Sequence, residues 1–147
     1  MTTYNNQAQQ KYKETGIQTA SQGQLVIKLY RGAIKFLNLA EKFIEENDIE
    51  QVNNHLIRVQ QIINELRYSL DHEKGSEISA NLEALYAYMN RTLIQANMNK
   101  DIEKIDQVRE IMKELLEAWE EANKMVNKKQ SHAPDRASKV NDGKNNN

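Results

Sequence analysis

Three histidines and a scatter of carboxylates are the only side chains whose types suit catalysis or metal binding, because the 147 residues contain no cysteine. That removes thiol nucleophiles, disulfides and cysteine-based zinc sites together. A carboxylate-bridged metal centre in a helical bundle needs Glu-x-x-His on inward faces, and no glutamate here has a histidine three residues later. His72 falls in a polar break and His132 close to the C-terminal end. His55 invites one other chemistry, phosphoryl transfer to an exposed imidazole on a helical bundle. Its register opposes this, because it aligns with Val108 and so points toward an apolar side, as a half-buried or edge histidine. Glu45-Glu46 and Glu117, Glu120 and Glu121 are spaced as solvated helix faces, and Glu110 and Glu114 have Arg109 and Lys113 within a turn. There is no glycine-rich phosphate loop and no Ser/His/Asp order. The expectation is a non-enzymatic protein with no catalytic residue, no cofactor and no metal.

The elements that would position any site are helical. Five glycines and one proline are too few for the turns of a sandwich or an α/β fold. Asp48 and Gln51 have the spacing of a capping box, as do Ser21 and Gln24, and each pair precedes an apolar run with periods of three and four. The first helix starts at Ser21 and stops at Asn47-Asp48. The second carries Ile49, Val52, Val59, Ile62, Ile63, Leu66 and Leu70. After the break at residues 71–76, a third carries Ile78, Leu82, Leu85, Tyr86, Met89, Leu93 and Ala96. A fourth, capped by Asp101, runs from Ile102 through Val126. The second and fourth helices match at an offset of 53 residues, Asp48-Ile49-Glu50 recurring as Asp101-Ile102-Glu103. The pattern predicts an all-α, antiparallel up-down four-helix bundle over residues 21–127. An N-terminal arm (1–20) precedes it. A tail (128–147) without apolar period follows, whose composition is that of disorder.

A net charge of −1 gives no global basic field for nucleic acid or an anionic membrane. No segment approaches the roughly 18 apolar residues of a membrane span, and the N-terminus is not a secretion signal, so a cytosolic location is expected.

The first helix carries more apolar surface than an outer bundle helix needs. From Leu25 to Ile44, thirteen of twenty residues are apolar, and Lys28, Arg31, Lys35, Asn38 and Lys42 form one narrow polar stripe. Leu25, Leu29, Phe36, Ala40 and Phe43 can serve the core, which leaves Ile27, Tyr30, Ile34 and Leu37 as a second flank. Left bare, such a flank approaches the few hundred Å² that mark a partner site. Covered by neighbours and by Tyr12 and Ile17 of the arm, it makes the helix merely central. Periodicity admits both, and a third occupant of the flank is a second copy of the chain.

At these residues the chain resembles the FliS family of flagellar export chaperones. The likeness covers about residues 8–125 and rests on Tyr12, Ile17-Gln18-Thr19-Ala20-Ser21, Leu25 and Leu29-Tyr30 followed by Gly32-Ala33-Ile34 and Phe36-Leu37. It continues through Ser69-Leu70-Asp71, Glu73-Lys74-Gly75, Glu77-Ile78, Asn81-Leu82, Leu85-Tyr86, Tyr88-Met89, Ala96-Asn97 and Ala118-Trp119. Two departures stand out: Gln22-Gly23 follow Ser21 where the family usually has proline, and Arg31 replaces an aspartate. The resemblance implies a cytosolic, ATP-independent chaperone that holds the C-terminal helical segment of flagellin and blocks premature polymerisation. The partner-binding set expected from the flank is Ile27, Tyr30, Ile34 and Leu37, with Tyr12 and Ile17 of the arm folding back over it as a lid that competes with the client. The resemblance admits the flagellar export gate and assembly regulators as further partners. Nucleic acid and membrane insertion are not implied. The rival readings are a self-associating structural bundle, homodimeric without client, and a histidine phosphotransfer bundle.

Overall fold

The computed structural model describes residues 19–137, and every element in that span is an α-helix: α1 (Thr19–Glu45), α2 (Ile49–Tyr68), α3 (Ser76–Asn99) and α4 (Ile102–Ala137). The breaks have local causes. Asn47 takes a left-handed conformation (φ 60°) after α1, which asparagine tolerates better than most residues. Asp48 then caps α2 by accepting from Gln51 N at 3.3 Å, as the capping spacing predicts. Asp71 organises the next turn: its Oδ1 accepts from the backbone of Glu73 and Lys74, and its carbonyl accepts from Ser79 Oγ at 2.9 Å. Lys100 closes α3 in a left-handed conformation (φ 53°), held by its own ammonium, which donates to Asn97 O and Oδ1 and to Asn53 Oδ1.

Two boundaries differ from the sequence pattern. The first helix begins at Thr19 rather than Ser21, so Ser21 lies within the helix instead of before it. The fourth runs to Ala137, past residue 127 where the apolar period ends. Tyr12, Ile17 and residues 138–147 lie outside the described residues.

The chain divides into two compact units, Val26–Leu116 and a second formed by residues up to Leu25 with those from Glu117 onward. In the second, α1 approaches α4 closely at Gly23, where a Cβ would meet Asn123 Oδ1 at 2.6 Å. The first unit is a four-helix bundle with one core. It buries Tyr30, Ala33, Leu37 and Ala40 from α1, and Val52, Leu56, Val59, Ile63 and Leu66 from α2. The other two helices add Tyr86, Met89, Leu93 and Ala96, and Ile105, Val108 and Met112. Tyr30 and Tyr86 join their hydroxyls in a buried hydrogen bond between α1 and α3. Burial, and then the neighbouring Tyr30, hold the Tyr86 phenol above its usual range.

Helix α1 is turned differently from the expected split. Ile27, Tyr30 and Leu37, assigned to an outer flank, are buried, and Ile34 is half-buried. Leu25, Leu29, Phe36 and Phe43, assigned to the core, are the half-buried ones. Phe36 and Phe43 lie at the α1–α2 edge, their rings 5.9 and 5.2 Å from that of His55. Gly32 meets α2 there, a Cβ at that position lying 3.6 Å from Ile62 Cδ1. Both apolar sets have helical spacing; the neighbours decide which one faces inward.

Arg109 is the other correction. The charge pattern puts it on a solvated face with Glu110 and Glu114, yet it is 9% exposed and ties α4 to α1. It donates to Asn38 Oδ1 at 2.8 Å and pairs with Glu41 at 2.7 Å and Asp106 at 2.5 Å. Burial works against its charge, but the hydrogen bonds to Asp106 and Glu41 outweigh burial and raise its pKa. The sequence held a signal for this: at the 53-residue offset Arg109 falls on Leu56, a core position.

Candidate functional site

Among the described side chains, no catalytic constellation forms around His55 or His72. His55 is half-buried against Phe36 and Phe43, with Nδ1 at 2.7 Å from Gln51 O, the edge placement its register predicts. Among the described residues no group of three or more His, Asp or Glu side chains is arranged to hold a metal ion. No described helix is long and apolar enough to cross a membrane.

What the bundle does present is an outward apolar face on α2 and α3. Buried residues of α3 recur on one side, yet Ile78, Tyr88, Ile94 and Met98 are 70, 42, 51 and 77% exposed, and Ala80 and Ala84 are exposed as well. A surface helix normally turns charge outward. On α2, Ile57 and Tyr68 are 45 and 76% exposed. Ile78, expected to face inward, lies on the same side of α3 as the buried Ala96 but is exposed in the first turn of the helix.

The seam between the two helices fixes the register of this face. Arg67 Nε donates to Glu83 Oε2 at 3.1 Å, Asn90 Nδ2 to Asn64 Oδ1 at 3.0 Å, and Lys100 Nζ to Asn53 Oδ1 at 2.9 Å. These bridges run antiparallel along the seam and bring Ile57 level with Ile94. The Arg67 hydrogen bond holds the Glu83 carboxyl below the usual carboxylate range. Asn90 Oδ1 is shielded from solvent without a partner, which makes the middle rung the weakest of the three. On the other side of α2, at the α1–α2 edge, Arg58 lies over the Phe36 ring at 5.2 Å from its centroid.

Of the six residues expected to meet a partner, Ile27, Tyr30 and Leu37 are buried, Ile34 is half-buried, and Tyr12 and Ile17 lie outside the described residues. Sequence reasoning missed the α2–α3 face. Its signal was present in α3, where apolar residues occur on both sides of the helix rather than along one stripe.

A family model described as "Flagellar protein FliS" matches residues 4–126. The chain belongs to the FliS family. It is 38% identical over 111 residues to the flagellar secretion chaperone FliS of Bacillus subtilis (strain 168), covering 76% of this chain and 82% of the relative. Over 110 residues it is 38% identical to the flagellar secretion chaperone FliS of Escherichia coli (strain K12), covering 74% and 81%. The corresponding chaperone of Campylobacter jejuni is 34% identical over 119 residues, covering 81% and 93%. In this FliS-family chain the departure at Gln22-Gly23 has a structural counterpart, since Gly23 is the position that closes on Asn123. The departure at Arg31 lies on the exposed side of α1.

Proposed function

We propose that this protein is a cytosolic flagellar export chaperone that binds the C-terminal helical segment of flagellin, prevents its premature polymerisation and keeps it competent for export. The observation that carries the reading is the outward apolar face of α2 and α3 on a FliS-family bundle: Ile57 and Ile94 stand level there, with Met98 exposed one turn beyond Ile94 on α3. An unfolded amphipathic client lays its apolar anchors into such a face and orders as it binds. The client sits on α2 and α3 rather than on the core residues Ile27, Tyr30 and Leu37. Ile34 of α1 and Tyr12 and Ile17 of the arm are auxiliary contacts. The chemistry is binding and release, with no cofactor.

Calorimetric titration of a flagellin C-terminal peptide tests this. The expected result is about one-to-one binding with a negative heat-capacity change from apolar burial, and co-elution as a heterodimer. No heat at several temperatures and no co-elution would defeat the reading. A homodimer that persists unchanged in the presence of the peptide would instead favour the self-associating bundle.

A further inference from the structure

Around the part of this face that holds Ile57, Ile94 and Met98 the charges are one-sided, the carboxylates Glu65, Glu77 and Glu83 lying toward its other end. From Gln51 to Asn64 on α2, and from Ala84 to Asn99 on α3, there is no aspartate or glutamate, although Asp and Glu number 21 in the chain. The same stretches carry Arg58 and Arg91, both exposed, and Lys100 follows at the end of α3. Elsewhere in the bundle Arg67 meets Glu83, and Arg109 meets Glu41 and Asp106. Here Arg58 lies over the Phe36 ring, and the Lys100 ammonium takes the oxygens of Asn53 and Asn97.

Helix geometry gives the arrangement a direction. With 3.6 residues per turn, Ile57 and Ile94 lie just outside the seam marked by Asn53, Asn64, Asn90 and Asn97. Arg58 lies farther round α2, and Arg91 farther round α3. The apolar centre is thus bordered by one guanidinium on each side.

We propose that the α2–α3 face selects an amphipathic helix whose apolar stripe is bordered on both sides by aspartate or glutamate, a selectivity that rests on the reading of this face as the client surface. The stripe covers Ile57, Ile94 and Met98. Carboxylates on its two borders meet Arg58 and Arg91, guanidiniums that favour planar, bidentate partners. A helix bordered by lysine meets like charge on both sides and is rejected, so the cations set specificity more than affinity.

Two titrations of the full-length protein test this. In the first, a flagellin C-terminal peptide is titrated against the wild type, Arg58→Glu, Arg91→Glu and the double variant, with Lys28→Glu as a charge control on α1. Each reversal on the face should weaken binding by about threefold to tenfold at low salt, and the wild type should lose affinity as salt rises while the double variant does not. Lys28→Glu should bind as wild type. Arg58→Gln repeats the test should Arg58→Glu disturb the fold by circular dichroism. Binding and salt dependence unchanged in the double variant would overturn the selectivity and leave the chaperone reading standing. In the second, two model helices share one apolar stripe and differ only in glutamate or lysine borders. Preference for the glutamate helix supports the proposal even if the flagellin peptide fails to bind, which would sink the chaperone reading alone. Equal binding of the two, or binding of neither, overturns the proposal.

Discussion

Replacing Arg109 separates packing from charge in the α1–α4 contact. The side chain is 9% exposed, so Arg109→Ala removes a buried stem as well as the bonds to Asn38, Glu41 and Asp106. The carboxylates it leaves are not stranded: the Glu41 and Asp106 side chains are 29 and 58% exposed, and water takes the guanidinium's place. Each ion pair is then worth under about 1 kcal/mol, well short of the roughly 3–5 kcal/mol for breaking a fully buried pair. Adding the lost stem and the space it leaves, Arg109→Ala should cost about 2–3 kcal/mol. Arg109→Leu refills that space with the residue found at the equivalent position 56 of α2, and should cost about 1 kcal/mol or less. In a chain of this size the two correspond to Tm losses of roughly 6–12 °C and under about 4 °C. Urea unfolding followed by far-UV circular dichroism gives both values. If leucine costs as much as alanine, the ion pairs rather than the stem hold the contact, and the argument from exposure is wrong.

Leu37→Ala should cost about 3 kcal/mol by opening a core cavity, whereas Ile34→Ala should cost clearly less; equal losses in urea unfolding would refute the observed rotation of α1. Gly23→Ala gains about 1 kcal/mol of helix propensity but drives a Cβ to 2.6 Å from Asn123 Oδ1. It should therefore stabilise the Asn123→Ala background more than the wild type, and thermal unfolding of the four proteins reads the difference. The Arg67–Glu83 pair lowers the folded-state pKa of Glu83, so its contribution is present above the ordinary glutamate pKa and disappears as pH falls through the lowered one. With both side chains about a third exposed, Glu83→Gln should cost under about 1 kcal/mol at neutral pH. The gap from wild type should close on acidification, and a gap that widens would refute the sign.

Much of the fold was legible in the residues. The break at Asn47-Asp48 and the capping of α2 by Asp48 follow from neighbours within a turn or two, where local geometry is decisive, and the half-buried place of His55 follows from its register against Val108. The same local rules identified four amphipathic segments and hence a bundle. Tertiary structure alone decided how each helix is rotated about its own axis. Spacing fixes the angles between Ile27, Tyr30, Phe36 and Phe43 on α1. With apolar residues around most of the circumference, however, the inward direction is set by what stands opposite: Tyr86 across the core, and His55 and Ile62 at the edge. Arg109 shows the same limit from the polar side. A charged residue reads as solvated until Glu41 and Asn38, some seventy residues earlier in the chain, arrive to neutralise and satisfy it. The α2–α3 face was hidden for that reason too: Ile57 and Ile94 form one surface only because three side-chain bridges set the register between their helices.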